Sequence, residues 1–192
     1  MATLRYFAYG SNMLHERLYA RVPTAVPVAT GTLPNHCLDF AKVSNDGSGK
    51  GDVVDSPGNA VWGVLYEVAD EQLANLDRNE GPHYRRDDVG IVVAGAMQWA
   101  SVYRARPDHR DPAKLPYDWY LALVIAGARQ NGLPEDYIDA LASKPRMPDR
   151  EASRRTRLEA LDALAEAGMM QVLESIQHRS PLGTGDGDGN RD

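Results

Sequence analysis

Residues 4–13 read Leu-Arg-Tyr-Phe-Ala-Tyr-Gly-Ser-Asn-Met, and they change structural character within a single turn of chain. Leu4 to Tyr9 is aromatic and apolar, as a short buried strand would be. Gly10-Ser11-Asn12 is a turn signal, and Met13 to Tyr19 follows with Leu14 and Leu18 on one side of a short helix. A strand that turns through glycine into a helix offers several backbone N–H groups at one point, a geometry suited to phosphate or carboxylate. The side chains of Ser11 and Asn12 add hydrogen-bonding groups. On residue chemistry alone, a plain capping turn is the commoner use of such a stretch. The phosphate variants do not fit: Lys50 is followed by Gly51, so there is no G-x-x-x-x-G-K-[ST], and no G-x-G-x-x-G follows a strand. A carboxylate or another small anion is the better match.

Outward from this turn, strands and helices alternate, but the strands come in pairs. Val26–Thr32 and Cys37–Val43 read as two strands joined by a tight connection at Leu33-Pro34-Asn35. Asn45 to Gly58, rich in Gly, Asp and Ser, reads as a mobile loop. Val61 to Val68 is a strand, and Asp70 to Leu76 a short helix with Asp70 as its N-cap. Tyr84–Val93 and Met97–Ala105 form a hairpin about Ala94-Gly95. Pro107 to Pro116 is a polar loop. Tyr117–Asn131 and Pro134–Ser143 are helices. Asp149 to Gln177 reads as one long helical stretch, with Leu158, Leu161, Ala165, Met169, Val172 and Ile176 as its apolar stripe. Hairpin-like pairing favours an α/β fold of the α+β type, a small mixed barrel-like sheet with flanking helices, over a doubly wound parallel sheet. The expected organisation is a catalytic domain over 1–146, a helical extension over 147–178 and a disordered tail over 179–192.

The 192 residues carry a net charge of −6, with 43% hydrophobic and 25% charged residues. That composition suits one globular domain with an appendage. It argues against a nucleic-acid partner, which calls for a basic balance. Arg150, Arg154, Arg155 and Arg157 lie among acidic residues and read as a solvated helix face. Cys37 is the one cysteine, so no internal disulfide can form, as in a reducing compartment. No apolar run spans a membrane and no signal peptide is evident, so the expected location is cytoplasmic. His15, His36, His83, His109 and His178 lack metal-ligand spacing, so neither a metal site nor another cofactor is expected. A serine-hydrolase elbow is absent.

The second feature is Leu76-Asp77-Arg78-Asn79-Glu80-Gly81-Pro82, where Gly81 is a natural helix stop and Glu80 sits beside it. A lone glutamate at a helix end is ordinarily just exposed. Taken together, however, YFAYGSNM, VWGVLYEV, LDRNEG and YLALVIAGARQNGLPEDYIDAL resemble, in the same order, blocks of the γ-glutamylcyclotransferase family, and they anchor residues 3 to 141. The resemblance implies a mixed barrel-like fold, Tyr9, Gly10, Ser11 and Asn12 as the loop holding a glutamyl group, Glu80 as the catalytic acid–base, and Tyr84 and Tyr120 as pocket-lining tyrosines. It further implies a small-molecule γ-glutamyl amide as partner. Its reaction is cyclisation of the glutamyl group to 5-oxoproline with release of an amine. Two other readings stand beside it: removal of a protecting γ-glutamyl group from a biosynthetic intermediate of antibiotic type, and a non-catalytic γ-glutamyl-binding protein. The C-terminal stripe must be buried, on the same subunit first and in a homodimer second.

Overall fold

A computed structural model describes residues 2–178; the expected tail lies outside the described residues. Five strands close into a barrel in the order β1-β3-β2-β4-β5. They are β1 (Thr3–Ala8), β2 (Val26–Val43), β3 (Gly49–Ala69), β4 (Tyr84–Val93) and β5 (Ala96–Ala105). All neighbours are antiparallel except β1 and β5, which meet in parallel at Tyr6 and Ser101 and so make the sheet mixed. The barrel-like mixed sheet expected from the paired strands is therefore present.

Two expectations need correction. The segment Asn45–Gly58 is not a long mobile loop. Only the tip, near Asn45 to Ser48, turns, while Gly49 to Asp55 pair with His36 to Val43 as the first part of β3. The Gly, Asp and Ser content misled because Asp46 uses its carboxylate to make the turn tight, accepting from the Ser48 N–H at 3.0 Å, the Ser48 hydroxyl at 2.6 Å and Lys50 Nζ at 2.9 Å. Likewise, the supposed break at Leu33-Pro34-Asn35 is a bulge inside β2. The register shifts between Pro34 and His36, and Asn35 takes φ +58°. Proline cannot donate to the ladder and so sits where the ladder is already interrupted.

The helices are α1 (His15–Tyr19), α2 (Leu73–Glu80), α3 (Asp118–Gln130), α4 (Glu135–Ala142), α5 (Arg155–Glu166) and α6 (Met170–His178). Asp70 does not cap α2 through its side chain; it begins a 3-10 turn, Asp70–Gln72, that leads into the helix. Gly81 ends α2 at φ +81°, its N–H bonded to the Asp77 carbonyl at 2.9 Å.

The C-terminal stretch is two helices rather than one. Gly168, at φ +66°, separates α5 from α6. The stripe predicted for one helix therefore holds only in part: its Val172 and Ile176 are buried, its Leu158 and Ala165 are exposed, and Ala160, Ala163, Leu164 and Leu173 are buried in addition. These residues pack within this chain and join the same core as the barrel. At its centre lies α3, buried over nearly its whole length from Asp118 to Ala128. It packs against the turn Ser11–Met13 at the end of β1 and against α4, α5 and α6.

Candidate active site

Segments distant in sequence meet at the mouth of the barrel. At the end of β1, Gly10 leads into a 3-10 turn, Ser11–Met13. A short helical turn leaves its first N–H groups without internal partners. The end of α2 supplies Glu80. The start of β3 supplies Gly51, beside Tyr84 of β4 and Tyr120 of α3. The resulting pocket is lined by Tyr9, Gly10, Ser11, Asn12, Glu80, Tyr84 and Tyr120, every residue expected from the sequence, together with Tyr6, Gly51 and Tyr103, which the sequence reading missed.

The Asn12 side chain is the hinge of the site. Its amide nitrogen donates to Glu80 Oε1 at 2.7 Å and to the Tyr6 hydroxyl at 3.0 Å. Its oxygen accepts from Arg21 Nη1 at 3.2 Å. Both amide protons are thus used within the protein, and the side chain orients Glu80 rather than facing a ligand. Burial raises the Glu80 pKa above the ordinary glutamate value, while Arg21, Lys42, the Asn12 bond and Arg17 hold it down. The outcome is a carboxyl group closer to neutral pH than a surface glutamate.

Proton accounting separates the five tyrosines. Tyr84 donates its hydroxyl proton to the Gly51 carbonyl at 2.6 Å. Tyr9 donates to the Tyr103 carbonyl, and Tyr103 donates to Asp77 Oδ1 at 2.5 Å. Tyr120 instead accepts, from the Gly51 N–H at 3.0 Å, and Tyr6 accepts from Asn12. Only Tyr6 and Tyr120 therefore keep a hydroxyl proton uncommitted among the described residues. Burial raises the pKa of all five, so each is a neutral donor at pH 7. The Tyr120 hydroxyl also lies 3.4 Å from where a Cβ on Gly10 would be, close against the turn.

Asp77 structures the site from behind: besides Tyr103 it holds Arg86 Nη1 at 2.9 and 3.0 Å. His83 stacks on His109 at 3.8 Å and does not line the pocket. Tyr6 and Tyr103 were readable only as strand residues, because nothing local shows which face of a strand ends in a pocket. Among the described residues no group of three or more His, Cys, Asp or Glu could hold a metal ion, and no helix is long and apolar enough to cross a membrane.

A closed barrel whose mouth holds one shielded carboxyl, a helical turn with unused N–H groups and a wall of tyrosines defines a pocket of small-molecule size. The AIG2-like family model matches residues 60–141. The γ-glutamylcyclotransferase of Bos taurus is 33% identical over 145 residues, covering 72% of this chain and 77% of that protein. That of Homo sapiens is 30% identical over 150 residues, covering 71% and 76%. A solved structure of a gamma-glutamyl cyclotransferase superposes with a TM-score of 0.75 at 28% identity, covering 86% of this chain and 99% of the other. The chain belongs to the γ-glutamylcyclotransferase family, and it is an enzyme of that type.

Proposed function

We propose that this enzyme releases 5-oxoproline and a free amine from a γ-glutamyl amide, with Glu80 as the sole acid–base group. The observation that carries this reading is the desolvated Glu80 carboxyl held by Asn12 beside the Gly10–Asn12 turn. The glutamyl α-carboxylate takes the N–H groups of the turn. The chain curls so that its own α-amine lies against the side-chain carbonyl carbon. Holding this geometry is a proximity effect worth several kcal/mol, about 7 or more in favourable cases.

The α-amine arrives largely as an ammonium, with a pKa near ~8. The Glu80 carboxylate accepts a proton from it. The freed nitrogen attacks the carbonyl carbon, the new C–N bond closes the five-membered ring, and negative charge builds on the oxygen. Tyr120, with Tyr6 behind it, supplies the uncommitted O–H for that oxygen. The old amide C–N bond then breaks as Glu80 returns its proton to the departing nitrogen. Glu80, a carboxylate again, then takes the second proton from the ring nitrogen and passes it to the released amine, so that two protons leave the ammonium and two arrive on the departing amine. No protein nucleophile is needed, because the nucleophile belongs to the substrate.

Glu80→Gln tests the reading. The variant should fold and bind substrate yet release 5-oxoproline at least ~100-fold more slowly. Turnover at the wild-type rate would refute it. The same panel of γ-glutamyl amides separates the alternatives, since a binding protein would bind one of them and turn over none.

A further inference from the structure

Asp52 is a buried carboxyl group that the mechanism above does not use. Its side chain is 0% exposed, and it follows Gly51 directly in β3. Its Oδ1 accepts from the Ala105 N–H at 2.8 Å, and its Oδ2 pairs with Arg110 Nε at 2.5 Å. β3 and β5 are not neighbours in the barrel order, so this side chain links two strands that no ladder joins. Arg110 lies in the loop after β5. That loop is itself fixed to β2, by a bridge between Arg110 and Lys42 and by the Asp111 N–H on the Ala41 carbonyl at 2.8 Å. Desolvating both members of a buried ion pair offsets most of their attraction, so such a pair is a weak source of stability. What it fixes is position.

The residue so fixed is Gly51. Its N–H donates to the Tyr120 hydroxyl at 3.0 Å, and its carbonyl accepts from the Tyr84 hydroxyl at 2.6 Å. Ala105 is the register partner of Tyr84. The bond from Ala105 to Asp52 therefore clamps the chain at the same point of the β4–β5 hairpin from which Tyr84 reaches Gly51. Both tyrosines border the pocket and also an outer chamber of about 180 Å³ beside it, whereas Asp52 lines neither. Glycine has wide backbone freedom, so nothing in residue 51 itself preserves this arrangement. If Gly51 shifted, the Tyr120 oxygen would lose its donor and Tyr84 its acceptor, and the two hydroxyls would be free to spend their protons elsewhere.

We propose that Asp52, paired with Arg110, is a positioning residue for the reaction: it holds the Gly51 N–H on the Tyr120 oxygen, so that Tyr120 keeps its own proton for the substrate oxygen. This rests on the cyclotransferase reading above, in which Tyr120 is that donor.

A double-mutant cycle on 5-oxoproline release makes the test, with every variant assayed well below its melting temperature. Asp52→Ala should lower kcat by about tenfold or more. Asp52→Asn, which keeps an acceptor for the Ala105 N–H, should lose less. In a Tyr120→Phe background the Asp52→Ala change should cost under about threefold, because the group it positions is already gone. A purely structural role would lower kcat equally in both backgrounds or not at all, and either result would overturn the proposal. Should Asp52→Ala fail to fold, Arg110→Met takes its place in the same cycle. Calorimetric titration with 5-oxoproline, whose ring oxygen is the former substrate carbonyl oxygen, gives a readout without turnover. Asp52→Ala and Tyr120→Phe should each weaken its binding by about threefold or more, and the double variant should lose no more than either. Additive losses, or none, would overturn the proposal. If the wild type binds 5-oxoproline but turns over no γ-glutamyl amide of the panel, the cyclotransferase reading fails by itself and the titration decides the role of Asp52. A wild type that does not bind 5-oxoproline would remove both.

Discussion

At the residue scale, the neighbours of Glu80 oppose one another. Burial raises its pKa, while the Asn12 amide and nearby cations lower it. Removing the Asn12 bond removes a stabiliser of the carboxylate, so Asn12→Ala should move the acidic limb of the kcat/KM pH profile to higher pH. An unmoved limb would mean Asn12 does not set the Glu80 pKa. The same balance has a stability consequence. A carboxyl with a raised folded-state pKa binds its proton better when folded than when unfolded. Stability from this group is therefore fullest below the unfolded pKa, near ~4.3, and falls as pH rises through the folded value. Glu80→Gln, always neutral, should melt above wild type at pH 7, with the gap closing below about pH 4. The tyrosines make a separate forecast. Tyr120→Phe removes an uncommitted O–H and should lower kcat by about 100-fold. Tyr84→Phe removes a proton already bound to the Gly51 carbonyl, so its kcat loss should be smaller; the reverse order would exchange their roles.

At the element scale, α3 presses directly on the site turn. A Cβ added at Gly127 would lie 2.4 Å from the Leu14 nitrogen and 2.6 Å from the Met13 carbonyl carbon. Both are backbone atoms, which cannot swing aside. Asn131 at the end of α3 also donates to the Met13 carbonyl at 3.0 Å, and Tyr66 donates to it from β3 at 3.0 Å. Gly127→Ala should thus cost about 1–3 kcal/mol in urea unfolding, by overpacking, and should lower kcat/KM as the Gly10–Asn12 turn is displaced. Unchanged stability would show that the helix yields without disturbing the turn. The β2–β3 hairpin acts at the same scale. Its length carries Lys42, Lys50 and Gly51 to the mouth of the barrel, where Gly51 binds both Tyr84 and Tyr120.

At the scale of the whole molecule, α5 and α6 complete the core that the barrel leaves open over α3. Trp119 Nε1 donates to Asp149 Oδ2 at 2.9 Å, Arg154 clasps the same carboxylate at 2.7 Å, and Gln177 donates to Asp118 at 2.7 Å. Thr156 lines the outer chamber, and Glu159 pairs with its Arg17. Truncation before Arg150 would expose the apolar surface now covered by Ala160, Leu164, Val172, Leu173 and Ile176. The shortened chain should lose well over ~5 kcal/mol of burial, at about 1.5–3 kcal/mol for each large side chain uncovered, and should aggregate or fail to melt cooperatively. A soluble, cooperatively melting fragment with full turnover would show that these helices are dispensable.

Much of this protein was legible in its sequence because the informative features were local. Strand periodicity, the Gly10 turn, the Gly81 stop, the Ala94-Gly95 hairpin and the buried α3 depend on neighbouring residues, and each is where local chemistry puts it. The resemblance of ordered blocks also singled out Glu80, Tyr9, Tyr84 and Tyr120, which line one pocket. What remained hidden depended on contacts across long separations. A polar hairpin reads as a loop until its partner strand satisfies its backbone, and a helical stripe holds only in part when one glycine breaks the helix. Asn12 was expected to serve the ligand; only the fold shows its side chain spent on Glu80, 68 residues away. Lys42 looked like any lysine in a strand. That it is buried near Glu80, whose carboxylate it helps to keep ionised, follows from barrel closure, because electrostatic effects are set by what surrounds a charge in space and not by its neighbours along the chain.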